Sequence, residues 1–199
     1  MKAFNLLICA GTITVFTGIS KSDIWINEVI YEGATGLEIA ANFEIDLSLL
    51  TVASYQGDSG EGDLFHQWSG SDFQTTVVDG GSLAWSTTLG SFQNSMPGGI
   101  AISYNNNFVQ LLSYGGNVFY AEGGPADGQF STDLGTPLQG SGSLQLEGNG
   151  SAYSDFHWVN DVPTTWGALN PNQTIVAIPA PSALALIGLA SMRRHRRRR

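Results

Sequence analysis

Across residues 23–177 no stretch of helical length repeats its apolar side chains at i, i+3 and i+4, which leaves strands as the regular structure this region can build. Apolar residues come instead in short runs, at 24–31, 37–41, 50–55, 64–68, 75–78, 83–87, 100–104, 108–114, 118–121, 144–146 and 156–159. Turn formers separate the runs: Gly33, residues 57–62, Gly80-Gly81, residues 97–99 and 105–107, Gly115-Gly116 and residues 123–125. The clearest hairpin signal is Tyr104-Asn105-Asn106-Asn107-Phe108, because asparagine tolerates the positive φ that tight hairpin turns need. Many short strands with spaced turns predict an all-β sandwich or barrel. The region holds roughly 155 residues, one domain's worth and enough to enclose a core.

Charge divides the chain into three parts. All eight Lys and Arg lie at its ends: Lys2 and Lys21, then Arg193, Arg194, Arg196, Arg197, Arg198 and Arg199. All seventeen Asp and Glu lie between, so the net charge of −9 understates how acidic the middle is. Residues 1–22 read as a signal peptide: Lys2 supplies the positive start, an uncharged apolar stretch follows, and small residues at Gly18-Ile19-Ser20 or Ser20-Lys21-Ser22 suit cleavage. Cys9 lies inside that apolar stretch with Ile8 before it, which fits a lipoprotein cysteine poorly. Its removal with the signal would leave a chain without disulfides.

Residues 178–199 read as a sorting tail. Pro179-Ala180-Pro181 comes first, then an apolar run of about 11 residues that spans only ~16 Å as a helix, short of the ~30 Å hydrocarbon core, then the arginine cluster. Such a tail would insert transiently in an inner membrane, with the arginines as the stop-transfer group. The three-part order resembles the PEP-CTERM signals of Gram-negative and related bacteria, with Pro179-Ala180-Pro181 where that family has Pro-Glu-Pro. The resemblance implies processing by an exosortase-type enzyme and delivery to the cell envelope or extracellular matrix.

Within residues 23–177, the segments Ile26-Asn27-Glu28-Val29, Leu37-Glu38-Ile39, Asp46-Leu47-Ser48, 52–57, Gly99-Ile100-Ala101, 110–114, 131–135, 143–146 and Trp166-Gly167-Ala168 follow one another in an order that resembles a secreted bacterial version of the lamin-tail domain. The resemblance implies an immunoglobulin-like β-sandwich that serves as a binding or accessory module.

Candidate chemistry is sparse. Glu44-Ile45-Asp46 resembles the start of the E-I-D-x-x-E strand of jelly-roll glucanases; on a strand, period 2 would put both acids on one face, but Leu49 stands where the third acid would fall. A carboxylate-dependent, glycosidase-like hydrolase is therefore the competing class of function. His66 and His157 both lie among aromatic residues at strand positions, with no cysteine for a zinc site and no nucleophile elbow. Nucleic acid is disfavoured, since phosphate binding draws on Lys and Arg and the middle has neither. Asp58, Glu61 and Asp63 in a glycine-rich loop are weak Ca²⁺ candidates, and a Ca²⁺-dependent carbohydrate-binding protein is a further alternative. The expectation is thus a non-catalytic interaction module without a firm cofactor, directed at exopolysaccharide or surface proteins.

Overall fold

A computed structural model of the chain describes residues 23–31, 35–58, 60–90, 92, 97–135 and 142–177. The expected signal peptide and sorting tail, with Pro179, Ala180, Pro181 and every Lys and Arg, lie outside these residues.

The described residues form an all-β structure of two curled sheets. The first contains β1 (Ile24–Ile30), β2 (Gly36–Ala41), β5 (Gln74–Val78), β6 (Gly81–Ser86), β11 (Ser143–Gly150), β12 (Phe156–Val162) and β13 (Gln173–Ile175). Its order is β12-β11-β1-β2-β6-β5, with β13 parallel to β11. The second contains β3 (Leu50–Asp58), β4 (Glu61–Ser69), β7 (Gly98–Tyr104), β8 (Asn107–Tyr114), β9 (Tyr120–Glu122) and β10 (Thr132–Asp133), in the order β10-β8-β7-β3-β4-β9. Hairpins supply most antiparallel pairs, while β9, β10 and β13 join their neighbours in parallel.

One hydrophobic cluster fills the space between the sheets. Ile24, Ile26, Val29, Leu37 and Ile39 of the first sheet meet Leu50, Val52, Ile100, Ile102 and Leu112 of the second. Each such side chain contributes about 1.5–3 kcal/mol by leaving water. Tyr31 and Tyr114 stack at the rim with ring centroids 4.1 Å apart. Both outer faces are covered too. Phe119, Ala121 and Ala126 pack on Ala53, Tyr55, Ala101 and Leu111 of the second sheet. Residues 163–177 cross the outer face of the first, where Ile175 joins Trp25, Ala40, Leu83 and Leu146.

The expected strands recur with shifted ends, and the Asn hairpin forms as read: Asn105 and Asn106 have φ of 52° and 59° between β7 and β8. Two short strands, β10 and β13, carry too few residues for any pattern to show. Two expectations are corrected. Glu44 and Asp46 do not lie on a strand: residues 42–46 link β2 to a 3₁₀ turn at Leu47–Leu49. Asp46 Oδ1 accepts from Ser48 N at 2.9 Å and Ser48 Oγ at 2.7 Å, a local cap that competes with a strand ladder. Nor do residues 57–62 form an open loop. β3 runs to Asp58 and β4 starts at Glu61, so these residues are a tight hairpin end. Gly60, at φ 114°, permits the tight end, while Gly62 lets the Phe119 ring pack against β4, where a Cβ would lie 2.3 Å from it.

Candidate functional site

Glu28 and Glu38 are the carboxyl pair that the fold buries: they face each other in register across β1 and β2, fully enclosed. A β-bulge places them. Register shifts between Ile26 and Glu28, so Asn27 is the extra residue. Ile24, Ile26 and Val29 all face the inter-sheet core, a parity possible only because the bulge turns Asn27 and Glu28 to the outer face together. On β2, Gly36, Glu38 and Ala40 share that outer face, which is buried along its whole length.

Residues 163–177 and β11 supply the partners. Glu28 Oε1 accepts from Ser143 Oγ at 2.6 Å and from Gln145 Nε2 at 3.1 Å. Its Oε2 accepts from Thr165 Oγ1 at 3.1 Å and Thr165 N at 3.2 Å. Glu38 Oε1 accepts from Asn27 Nδ2 at 2.9 Å, and its Oε2 from Gly167 N at 2.7 Å. Around them Gln173 Nε2 donates to Asn27 Oδ1 at 2.6 Å, and Asn170 Nδ2 to the carbonyls of Leu146 and Asn27 at 3.0 and 3.2 Å. Trp166 lies across Gly36, where a Cβ would come within 2.6 Å of its ring. Trp25 Nε1 and Gln145 Oε1 are buried without a hydrogen-bond partner.

No Lys or Arg lies anywhere in residues 23–177 to neutralise this pair. Burial therefore pushes Glu38 up to about 8, outweighing the Asn27 and Gly167 bonds that favour its charged form, and neighbouring Glu28 adds to the rise. Burial also raises Glu28, against bonds from Ser143, Thr165 and Gln145. Glu38 is thus mainly protonated at neutral pH. Two acids with raised pKa values would suit general acid chemistry, but both are sealed from solvent by the chain's own donors.

The residues singled out from sequence lie elsewhere. Asp58 opposes Glu61, and Gln56 opposes Asp63, so the three acids share one exposed face of the β3–β4 hairpin. Tyr120 and Glu122 continue that face, because they pair in parallel with Glu61 and Asp63. Among the described residues no group of three or more His, Cys, Asp or Glu is arranged to hold a metal ion. His66 is exposed on β4 with its ring 4.6 Å from that of Trp68, and exposed His157 opposes Glu147 across β11 and β12. Glu44 and Asp46 are exposed in the β2–β3 link.

Two surface features lie on the second sheet. A shallow cavity of about 220 Å³ is lined by Thr51, Gln67, Ser103, Asn106 and Pro125, none of them an acid. Tyr120 and Phe130 form an edge-to-face pair, 5.1 Å between centroids, with Phe130 71 % exposed.

In the sequence, Glu28 and Glu38 stand out only within the lamin-tail-like segments Ile26-Asn27-Glu28-Val29 and Leu37-Glu38-Ile39. A usable signal for Glu38 is its setting in Gly36-Leu37-Glu38-Ile39-Ala40-Ala41, a lone acid in a strand apolar or small on both faces. Compared with protein-family models, with curated proteins and with solved structures, the chain matches none.

Proposed function

We propose that the chain is an exported, non-catalytic interaction module: residues 1–22 a signal peptide, residues 23–177 an immunoglobulin-like, lamin-tail-like β-sandwich, and residues 178–199 a PEP-CTERM-type tail handled by an exosortase-type enzyme. Its destination in this reading is the cell envelope or extracellular matrix, and its partner an exopolysaccharide or a surface protein. The observation that carries the non-catalytic part is the state of the carboxyls. Glu28 and Glu38, the buried facing pair, are bonded to the chain itself, the mutually neighbouring Asp58, Glu61, Asp63 and Glu122 lie on an open strand face, and the 220 Å³ cavity contains no acid. Glycoside hydrolysis needs two carboxyls about 5–10 Å apart flanking a bound sugar, a place the buried pair does not offer. Exposed Phe65, Val118, Tyr120 and Phe130 beside the β4–β9 edge supply apolar contact area for a partner.

The test combines a glycan array and envelope-protein pull-down with an assay for released reducing sugar. Binding without turnover is expected. Turnover that persists in Glu28→Gln and Glu38→Gln variants would replace the module with a hydrolase using surface acids. Fractionation of cells carrying the tagged chain should find it in the envelope or medium, and retention in the cytoplasm would refute the export reading.

A further inference from the structure

Residues 163–177 are held on the first sheet mainly by hydrogen bonds, at their far end through the parallel pairing of β13 with β11, where Gly148 N donates to Asn172 O at 3.2 Å and Val176 N to Gly150 O at 2.8 Å. Thr165 and Gly167 donate backbone N–H groups to Glu28 and Glu38, while Asn170 and Gln173 complete the network below. Apolar anchorage is limited to Ile175, with partly buried Leu169 beside it and Trp166 over Gly36. We propose that this segment is a pH-released strap, latched while Glu28 and Glu38 carry at least one proton between them and freed when both are ionised.

The physical basis is that two carboxylates facing each other across adjacent strands, both removed from water and with no base in the domain, repel strongly in a low-dielectric setting. Lifting the strap hydrates both at once. It also gives water to Gln145 Oε1, which lacks a partner while Gln145 Nε2 donates to Pro163 O of the strap at 2.8 Å, so opening costs less than the lost contacts suggest. The other titratable groups around the strap are Asp79, beside Gly80 at the Ile175 carbonyl, Tyr153 and Asp155 in the 3₁₀ turn before β12, and those of β11, β12 and the start of β1. The strap itself has no titratable side chain, and neither do β5, β6 and β13. β11 contributes Glu147, which accepts from Asn172 Nδ2 at 3.4 Å and opposes His157 of β12. Asp161 of β12 accepts from Gly142 N at 3.2 Å, and Asp23 at the start of β1 accepts from Tyr153 N at 3.2 Å. The raised Glu38, at about 8, sets where the second proton leaves. Release removes Ile175 and Leu169 from the cluster of Trp25, Ala40, Leu83 and Leu146 on the outer face of β1, β2, β6 and β11, opening an apolar surface that Val78, Tyr153, Phe156 and Trp158 still border.

Hydrogen–deuterium exchange of the full chain, followed by mass spectrometry from pH 6 to 9.5 and corrected for intrinsic rates, tests this. Protection of peptides from 163–177 should fall at least tenfold across that range, while peptides from β3 and β7 keep theirs. Glu38→Gln, which stays neutral, should remove the fall, and Thr165→Ala should lower protection of the strap at every pH. Unchanged strap protection in the wild-type chain, or a loss shared equally by β3 and β7, would overturn the proposal without recourse to any variant.

Discussion

Replacing Glu38 by Gln should make the domain more stable in alkali and slightly less stable in acid. In the folded chain the Glu38 carboxyl sits at about 8, against an ordinary 4.5. A carboxyl with a raised folded pKa binds its proton more tightly in the native state than in the unfolded chain. Its contribution is therefore fully present below about 4.5 and is lost as pH rises to about 8. At about 1.4 kcal/mol per pH unit, that interval corresponds to a loss of about 5 kcal/mol, a third or more of the 5–15 kcal/mol typical of a domain. Gln keeps a carbonyl for one of the two donors, Asn27 Nδ2 and Gly167 N, but turns an amide toward the other, at a cost of about 1–2 kcal/mol. The variant should thus be about 1–2 kcal/mol less stable at pH 4 and about 3 kcal/mol more stable at pH 9. Urea unfolding at half-unit pH steps measures both chains, and their difference cancels the titrating groups remote from Glu38, leaving Glu38 and its coupling to Glu28. A difference that stays constant from pH 4 to 9, or grows in the opposite direction, would refute a buried, proton-retaining Glu38.

Other consequences follow from single residues. Tyr55 Oη donates to Gly123 O at 2.8 Å and accepts from Ala126 N at 3.0 Å, so Tyr55→Phe strands the buried Ala126 N–H, loses the bond to Gly123 and should cost about 1–3 kcal/mol, read as a fall in thermal midpoint. Asn106→Val forces a β-branched residue to φ near 59° in the β7–β8 turn and should cost roughly 1–2 kcal/mol, whereas Asn106→Gly should be close to neutral; equal effects in chemical denaturation would refute the turn assignment. Because residues 23–177 contain seventeen acids and no Lys or Arg, the melting temperature should rise from low salt to about 0.5 M NaCl, as the screening length falls to ~4–5 Å. A flat or falling curve would show that self-repulsion is not a material cost. A further rise in millimolar Ca²⁺ at matched ionic strength would revive the Asp58, Glu61 and Asp63 candidates, whose side chains share an exposed strand face.

Period-2 runs and turn chemistry are local properties, and they made most strands and the Asn105-Asn106 hairpin legible without tertiary information. The partition of charge was equally plain, and with it the absence of any base to neutralise a buried acid. Where local competition was close, the sequence misled: a side-chain cap drew Asp46 out of a strand pattern, and a β3–β4 ladder running to Asp58 and Glu61, turned at Gly60, made an expected loop a hairpin. Which acids matter was decided only by the tertiary structure. Glu28 meets Thr165 across 137 residues of chain, and it faces that way only because a bulge at Asn27 reverses the alternation of β1. A one-residue shift of register and a segment returning from the far end of the domain have no signature in composition or period. Burial, and with it the charge state of Glu38, is a property of what lies over a strand rather than of the strand itself.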